Sequence, residues 1–255
     1  MDQWHHRLVV HEDGGDDLAY AGWRVADDLA LEEMATQLTE AGVDFRVGTD
    51  AEAAERRVMG LLKLESPGGV PTEIFYSPQV DTAKPFHPGR PMFGRFLTGD
   101  QGIGHVILNE PDVAGALVFY RLIGLTGGPE YKLTLPDGMV ATPVFLRCNA
   151  RQHSVAFGLG PMERRINHLM IEYTDLDDLG LVHDRIRELK IDVTLQLGKH
   201  SNDQALTFYG ANPSGWAWEL GWGARQSGSQ AEHYTRDIFG HGNEVLGYGL
   251  DLPLK

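Results

Sequence analysis

The sequence is poor in cysteine, with Cys148 as the single one in 255 residues. One cysteine excludes an internal disulfide and any zinc site built from several thiolates. The sequence also lacks an apolar run of the roughly 18–20 residues that a membrane span needs. Its N-terminal stretch carries no apolar segment of the kind found in signal peptides. We therefore expect a cytoplasmic protein that has no membrane partner.

Positive charge is also scarce. There are 22 Lys and Arg residues against 36 Asp and Glu, which gives a net charge of −14 with histidine neutral. No run rich in Lys or Arg offsets this excess, and an acidic surface repels polyanions, so we expect no nucleic-acid partner. Apolar residues make up 42% of the chain, which is enough to form a folded core and excludes disorder throughout.

Three stretches of the chain share one order of predicted elements. They begin at Leu18, Ile103 and Ile166, and each has a short apolar strand, an Asp-led helix and then strands separated by Gly/Pro turns. In the third stretch, apolar residues recur at helical spacing after Asp175, which predicts an amphipathic helix. The first stretch has the same pattern after Asp27. The chain is therefore predicted to be an α+β protein built from repeated modules.

Two of these stretches contain the motif P-x-G-x-x-x-E-[IL], with its glutamate at Glu73 and at Glu219. The opening strands of the second and third stretches carry His105 and His168, whereas the first has no histidine there. Two histidines and one carboxylate suit non-haem Fe(II). The residues are far apart, so spacing alone leaves a structural or surface role open for each histidine. Glu73 has no histidine partners and is predicted to be an ordinary carboxylate at a strand edge.

The run from Gly198 to Glu219 is more specific, because it matches G-x-H-x7-F-Y-x2-N-P-x-G-x3-E at every fixed position. In this run the sequence resembles the type I extradiol catechol dioxygenases of the vicinal oxygen chelate superfamily, and the resemblance extends over essentially the whole chain. Other stretches are similar to the 1,2-dihydroxynaphthalene dioxygenases in particular, among them SPGGVPTEIFY, PFHPGRP, CNARQHSVAFG and DIFGHGNEVLGYGLD.

The resemblance implies repeated βαβββ modules that form glyoxalase/bleomycin-resistance-like domains, each an open mixed β-barrel around a pocket. We expect a non-catalytic domain over residues 1–90, a catalytic domain of two modules over 100–225, and a tail over 226–255 that packs near the pocket. A Pro/Gly-rich link around 80–100 would separate the domains. Family members have about one more strand–helix unit before the point where this chain begins. We therefore expect either a shortened first domain or a start codon assigned too late.

The resemblance also implies three groups of site residues. The residues that match iron ligands are His105, His168 and Glu219. The residues that match groups handling protons or contacting the substrate oxygens are His153, His200 and Tyr209. The residues that match the walls and polar rim of the substrate pocket are Asn202, Asp203, Phe145 and Ile107. Phe157 and Phe208 are further aromatic residues available to line this pocket.

The function implied is Fe(II)-dependent extradiol cleavage of a bicyclic catechol by O₂, with 1,2-dihydroxynaphthalene giving 2-hydroxychromene-2-carboxylate. Mn(II) stays open as the metal, because it shares the ligand preference. The partners expected are a small aromatic diol, O₂ and further copies of the chain in a homo-oligomer, for which the family suggests an octamer. Two alternatives remain: cleavage of 2,3-dihydroxybiphenyl or another catechol, and a non-enzymatic aromatic-binding protein of the same superfamily.

Overall fold

The structure of the chain is a computed structural model that describes residues 1–12, 14–134, 138–227 and 233–242. The elements in chain order are β1 (Ala21–Arg24), α1 (Asp28–Glu40), β2 (Phe45–Val47), α2 (Asp50–Arg56), β3 (Gly60–Glu65), β4 (Pro71–Tyr76), a 3-10 helix (Gly99–Gln101), β5 (Gly104–Leu108), α3 (Val113–Leu122), β6 (Thr126–Pro129), β7 (Leu133–Thr134), β8 (Val140–Ala141), β9 (Val144–Arg147), β10 (Val155–Phe157), β11 (Ile166–Tyr173), α4 (Leu176–Glu188), β12 (Val193–Lys199), β13 (Leu206–Ala211) and β14 (Ala217–Trp222).

Each α-helix begins at a side chain that accepts hydrogen bonds from the first free backbone N–H groups. Asp27, Asp112 and Asp175 do this for α1, α3 and α4, and Thr49 caps α2 as part of a capping box. The helices predicted after Asp27 and Asp175 are therefore confirmed. Gly42 follows the end of α1 with a φ of 68°, a left-handed conformation that glycine adopts without strain.

In the part of the chain that the structure describes, the strands form two larger sheets and one two-stranded pair. The first sheet has the order β1-β4-β3-β2, the second has the order β12-β13-β14-β11-β5-β10-β9-β6, and β7 pairs with β8. In every module the first strand lies parallel to the last: β1 to β4, β5 to β10 and β11 to β14. The second and third modules join through antiparallel pairing of β5 with β11. The predicted α+β fold of repeated βαβββ modules is confirmed.

The eight-stranded sheet has two chemically different faces. Because side chains alternate along a strand, β11 presents His168, Met170 and Glu172 on one face and Leu169 and Tyr173 on the other. The apolar face packs into two buried cores together with residues of α3 and α4. The opposite face of the curled sheet is therefore free to hold polar side chains, and it carries the candidate site.

Phe157 and Phe208, considered above as pocket-lining residues, belong to these cores instead. Both are fully buried, and Phe157 stacks on Tyr120 with ring centroids 5.5 Å apart. Strand alternation is the reason, since their neighbours Ala156 and Tyr209 point to the face that carries the site. These two rings therefore do not line the predicted pocket.

The segment 77–98 between β4 and the 3-10 helix is described throughout and contains no helix or strand of its own. It is held against α4, where the carboxylate of Asp178 accepts hydrogen bonds from the backbone N–H groups of Phe93 at 2.9 Å and Gly94 at 2.8 Å. The division into domains at this segment stays a prediction. No helix in the described part of the chain is long and apolar enough to cross a bilayer.

A buried ion pair between Arg151 and Glu172 connects this segment to the sheet. Both side chains are 3% exposed. Arg151 also donates to the backbone carbonyl oxygens of Leu97 at 3.0 Å and Gln101 at 3.2 Å. Glu172 accepts a further hydrogen bond from the backbone N–H of Ala224 at 2.9 Å. Loss of either partner would leave the other as an unpaired buried charge.

We predict that Arg151→Met lowers the free energy of unfolding by about 3–5 kcal/mol, the usual cost of breaking a buried ion pair from one side. The matched control is Arg185→Met, because Arg185 pairs with Glu188 at a site where both side chains are more than half exposed. We expect that control to change stability by about 1 kcal/mol or less. Urea unfolding followed by tryptophan fluorescence measures both, and equal losses would contradict the prediction.

Candidate active site

Strand register brings three residues that are distant in sequence to one level of the eight-stranded sheet. His105 on β5 lies opposite Met170 on β11, and Met170 lies opposite Glu219 on β14. His168 is two residues before Met170, so its side chain points to the same face. The side chains of His105, His168 and Glu219 therefore converge at the centre of the sheet.

The three side chains are buried and their polar atoms are close together. The Nε2 atom of His105 lies 2.8 Å from Oε2 of Glu219, and Nε2 of His168 lies 3.1 Å from the same oxygen. Within the described residues, Nε2 of His168 has no hydrogen-bond partner, so its short approach to Glu219 is not a hydrogen bond. A buried ring nitrogen without a partner, facing a carboxylate, is the arrangement expected where a cation belongs.

The charges of the three groups also fit a divalent metal ion. Burial alone would raise the pKa of Glu219, but the neighbouring imidazoles, with His105 first and His200 also contributing, outweigh it and hold that pKa well below its usual range. Burial lowers the pKa of His168, so its imidazole is neutral, the form that binds metals. One carboxylate and two imidazoles leave a divalent ion with a net charge near +1.

His153 lies directly beside this centre. Its ring centroid is 3.9 Å from that of His105 and 4.9 Å from that of Phe145. Its Nδ1 lies 2.6 Å from Oε1 of Gln152, whose Nε2 donates to Glu130 at 2.6 Å. Because an amide oxygen only accepts, Nδ1 of His153 carries the proton and Nε2 keeps its lone pair. Burial, and then the neighbouring His105, hold the pKa of His153 well below its usual range, so the ring is a neutral base.

His200 and Tyr209 lie on the other side of Glu219. Nε2 of His200 is 2.8 Å from the hydroxyl oxygen of Tyr209 and 3.2 Å from Oε1 of Glu219. Burial alone would lower the pKa of His200, but hydrogen bonds to Asp237 and Glu219 outweigh it and raise that pKa well above its usual range. Burial raises the pKa of Tyr209, which therefore stays a neutral phenol. Both side chains can donate hydrogen bonds.

The predicted pocket residues lie around these groups. Phe145 and Ile107 form a buried apolar cluster with Tyr131 and Ala156 on the face of the sheet that carries the site. Asn202 is buried, and its Nδ2 donates to Glu130 at 3.2 Å. The carboxylate of Asp203 lies within 4.8 Å of ring nitrogens of both His105 and His153. Their contacts with a substrate stay predictions.

Sequence reasoning missed four residues that contact the predicted site: Glu130, Gln152, Asp237 and His241. Gln152 directly precedes His153, but only the folded chain shows that its amide oxygen accepts from that ring. Asp237 and His241 come from the expected tail. The described residues of this tail are 226–227 and 233–242, and the second range contacts the site, whereas 228–232 and 243–255 lie outside the described residues. The sequence offered one signal for this pair: an aspartate and a histidine, Asp237 and His241, lie four residues apart in a stretch that is similar to the family.

The prediction that Glu73 is an ordinary strand-edge carboxylate was wrong. Strand β4 has β1 on one side and β3 on the other, and Glu73 is 3% exposed. Its carboxylate lies 3.0 Å from Nε of Arg56 and 3.3 Å from Nζ of Lys63. The first module therefore has a buried glutamate at the repeat position of Glu219, but its charge is balanced by two basic side chains.

Comparison with known proteins gives one family. Residues 102–220 match the Glyoxalase/Bleomycin resistance protein/Dioxygenase superfamily. Over 254 residues the chain is 69% identical to a biphenyl-2,3-diol 1,2-dioxygenase of Sphingomonas paucimobilis and 67% identical to a 1,2-dihydroxynaphthalene dioxygenase of Sphingobium xenophagum. These alignments cover 100% of this chain and 85% of each relative. A crystal structure of a catechol 2,3-dioxygenase superposes with a TM-score of 0.94 at 68% identity, again over 100% of this chain and 85% of the other.

We predict that Glu219→Gln abolishes binding of a divalent metal ion, whereas Glu73→Gln, at the matching repeat position, leaves it intact. Losing a residue that merely supports a ligand typically costs about 10–100-fold in metal affinity, so losing the carboxylate itself should cost more. Metal content after dialysis against a defined free concentration of the ion measures the difference. Stoichiometric metal in Glu219→Gln would contradict the assignment of Glu219 to the metal.

Proposed function

Because the chain belongs to the extradiol dioxygenases of the glyoxalase/bleomycin resistance protein/dioxygenase superfamily, we propose that it cleaves a bicyclic catechol with O₂ at an Fe(II) ion held by His105, His168 and Glu219. The convergence of these buried side chains carries the proposal. The proposed substrate is 1,2-dihydroxynaphthalene. Both oxygen atoms of O₂ enter the product, which closes to 2-hydroxychromene-2-carboxylate.

The proposed ligand set explains why this site suits a diol and O₂. When bound, Fe(II) supplies coordination positions free of protein ligands and transfers electron density from the diol to O₂. The net charge near +1 left by Glu219 favours a substrate that arrives as an anion. Mn(II) would fit the same donors, so the choice of Fe(II) rests on the proposed reaction.

His153 is proposed to accept the proton that the diol loses on binding and to return it during ring opening. Support comes from its ring nitrogens: Nδ1 is held by Gln152 at 2.6 Å, which leaves Nε2 as the acceptor. Its lowered pKa keeps the ring neutral before the substrate arrives. A positioned general base of this kind typically contributes about 10²–10⁴-fold to the rate.

His200 and Tyr209 are proposed to orient the substrate oxygens and to donate hydrogen bonds to the charge that develops on them. Their mutual contact of 2.8 Å and their position beside Glu219 support this role. Phe145 and Ile107 are proposed to contact the rings of the substrate. Because both are buried in an apolar cluster, they would also exclude water from the reaction.

Two alternatives remain. Cleavage of 2,3-dihydroxybiphenyl or another catechol uses the same site and differs only in the shape of the pocket. A non-enzymatic aromatic-binding protein is disfavoured, because such a protein has no need for a buried His168 whose Nε2 lacks a hydrogen-bond partner among the described residues. A cytoplasmic location and a homo-oligomer, as expected from the sequence, stay predictions.

The test is oxygen uptake and ring cleavage across a panel of catechols, with protein reconstituted with Fe(II) or Mn(II) under anaerobic conditions. The panel contains catechol, 2,3-dihydroxybiphenyl and 1,2-dihydroxynaphthalene. We expect kcat/KM to be highest for 1,2-dihydroxynaphthalene with Fe(II). A higher value for 2,3-dihydroxybiphenyl would favour the first alternative, and binding without oxygen uptake would favour the second.

We predict that His153→Ala keeps its metal but lowers kcat by about 10²–10⁴-fold, because it removes the proposed base without removing a ligand. His168→Ala, in contrast, should lose metal and turnover together. The control is His87→Ala, since His87 is an exposed histidine on the segment between β4 and the 3-10 helix. Metal content and steady-state oxygen uptake measure these outcomes, and wild-type turnover in His153→Ala would exclude it as the base.

A further inference from the structure

Asp237 lies at the centre of a hydrogen-bonded group outside the proposed ligand set. Its Oδ1 is 2.9 Å from Nδ1 of His200, and its Oδ2 is 2.9 Å from Nδ1 of His241. The hydroxyl of Tyr131 donates to the same Oδ1 at 3.2 Å. One carboxylate from the C-terminal segment thus contacts a proposed substrate-orienting histidine, a second histidine and a residue of the pocket cluster.

The chemistry of these partners assigns the protons. An ionised carboxylate only accepts hydrogen bonds, so both imidazoles must donate through Nδ1. Nε2 of His241 lies 3.0 Å from the hydroxyl of Thr207, which can donate to it. Nε2 of His200 then faces Tyr209, Glu219 and the proposed substrate. Without an acceptor at Nδ1, the His200 ring could lose the proton on that nitrogen or rotate away from Tyr209.

The C-terminal segment is fixed well enough to hold Asp237 in place. The backbone N–H of Lys199 donates to the carbonyl of Phe239 at 2.8 Å, and the N–H of Ile238 donates to the carbonyl of Lys199 at 2.8 Å. The hydroxyl of Ser201 donates to the carbonyl of Arg236 at 2.7 Å. These contacts flank His200 on both sides in sequence, so the segment and the loop that carries His200 form one unit.

We propose that Asp237 is a positioning residue: it keeps a proton on Nδ1 of His200 and fixes the ring so that Nε2 faces Tyr209 and the substrate oxygens. Asp237 lies beyond residues 102–220, the part that matches the superfamily. The C-terminal segment therefore completes a site whose other parts lie on the repeated modules. The kinetic consequence of this role rests on the proposed function, whereas the position of the proton does not.

The test compares Asp237→Leu with Ser201→Ala and Asp237→Glu. Leucine keeps the branched shape of the side chain but offers no acceptor to either ring, whereas the amide oxygen of asparagine would still accept from Nδ1 of His200. Ser201→Ala removes an anchor of the same segment and leaves Asp237 intact. Asp237→Glu restores the carboxylate. Full-length protein labelled with ¹⁵N-histidine is examined by NMR before and after loading with Zn(II), a diamagnetic ion, and His200→Gln identifies the signals of His200.

In the wild type and in Ser201→Ala we expect Nδ1 of His200 to carry a proton. In Asp237→Leu we expect that nitrogen to lose its proton. With Fe(II), Asp237→Leu should lower kcat about 10–100-fold, the usual range for loss of a residue that supports a site histidine, with a smaller change in KM. Ser201→Ala should keep kcat, and Asp237→Glu should regain part of it.

A wild-type spectrum in which Nδ1 of His200 carries no proton would overturn the proposal, and so would an unchanged spectrum in Asp237→Leu. Equal losses of kcat in Ser201→Ala and Asp237→Leu would do the same, because they would assign the effect to anchoring of the segment. If the wild type cleaves no catechol, the proposed function fails, and the NMR comparison still decides whether Asp237 sets the proton of His200.

Discussion

The structure depends on one buried charge, the carboxylate of Glu219. This side chain is fully buried, and an ionised carboxylate in such a place is tolerated only when cations and hydrogen-bond donors surround it. Three histidines supply ring nitrogens within 3.2 Å of its oxygens. The sheet must therefore place its polar residues on one face and its apolar residues on the other. This division places the two apolar cores on one face of the eight-stranded sheet and the site on the opposite face.

The first module meets the same constraint in a different way. Glu73 occupies the repeat position of Glu219 and is nearly as buried, but Arg56 and Lys63 balance its charge. Because two cationic side chains already contact the carboxylate of Glu73, its charge is neutralised without a metal ion. The repeat thus retains a buried glutamate on the last strand of these two modules, and the residues around the glutamate decide whether it can hold a metal.

The fold and the centre of the site could be predicted from the sequence because both depend on local patterns. Helix caps and the motif from Gly198 to Glu219 are formed by residues that lie near one another in the sequence, so the sequence shows them. Contacts between distant segments produce no such local pattern. The residues next to Asp237 in the sequence do not show that its carboxylate accepts a hydrogen bond from His200. In the same way, the sequence of β4 does not show that this strand is paired on both edges, which is what buries Glu73. The side to which Phe157 points also depends on which face of the sheet becomes the core.

The surroundings of His153 and His200 separate two histidines that would otherwise behave alike. Each ring donates through Nδ1 to a fixed acceptor and turns Nε2 to the site, but Gln152 offers a neutral amide whereas Asp237 offers a charge. Burial dominates at His153 and lowers its pKa, while carboxylates dominate at His200 and raise its pKa. Environments that push the pKa values of two groups apart are how one site obtains both a base and a donor. The difference lies in the partners at Nδ1, which the repeated modules and the C-terminal segment supply separately.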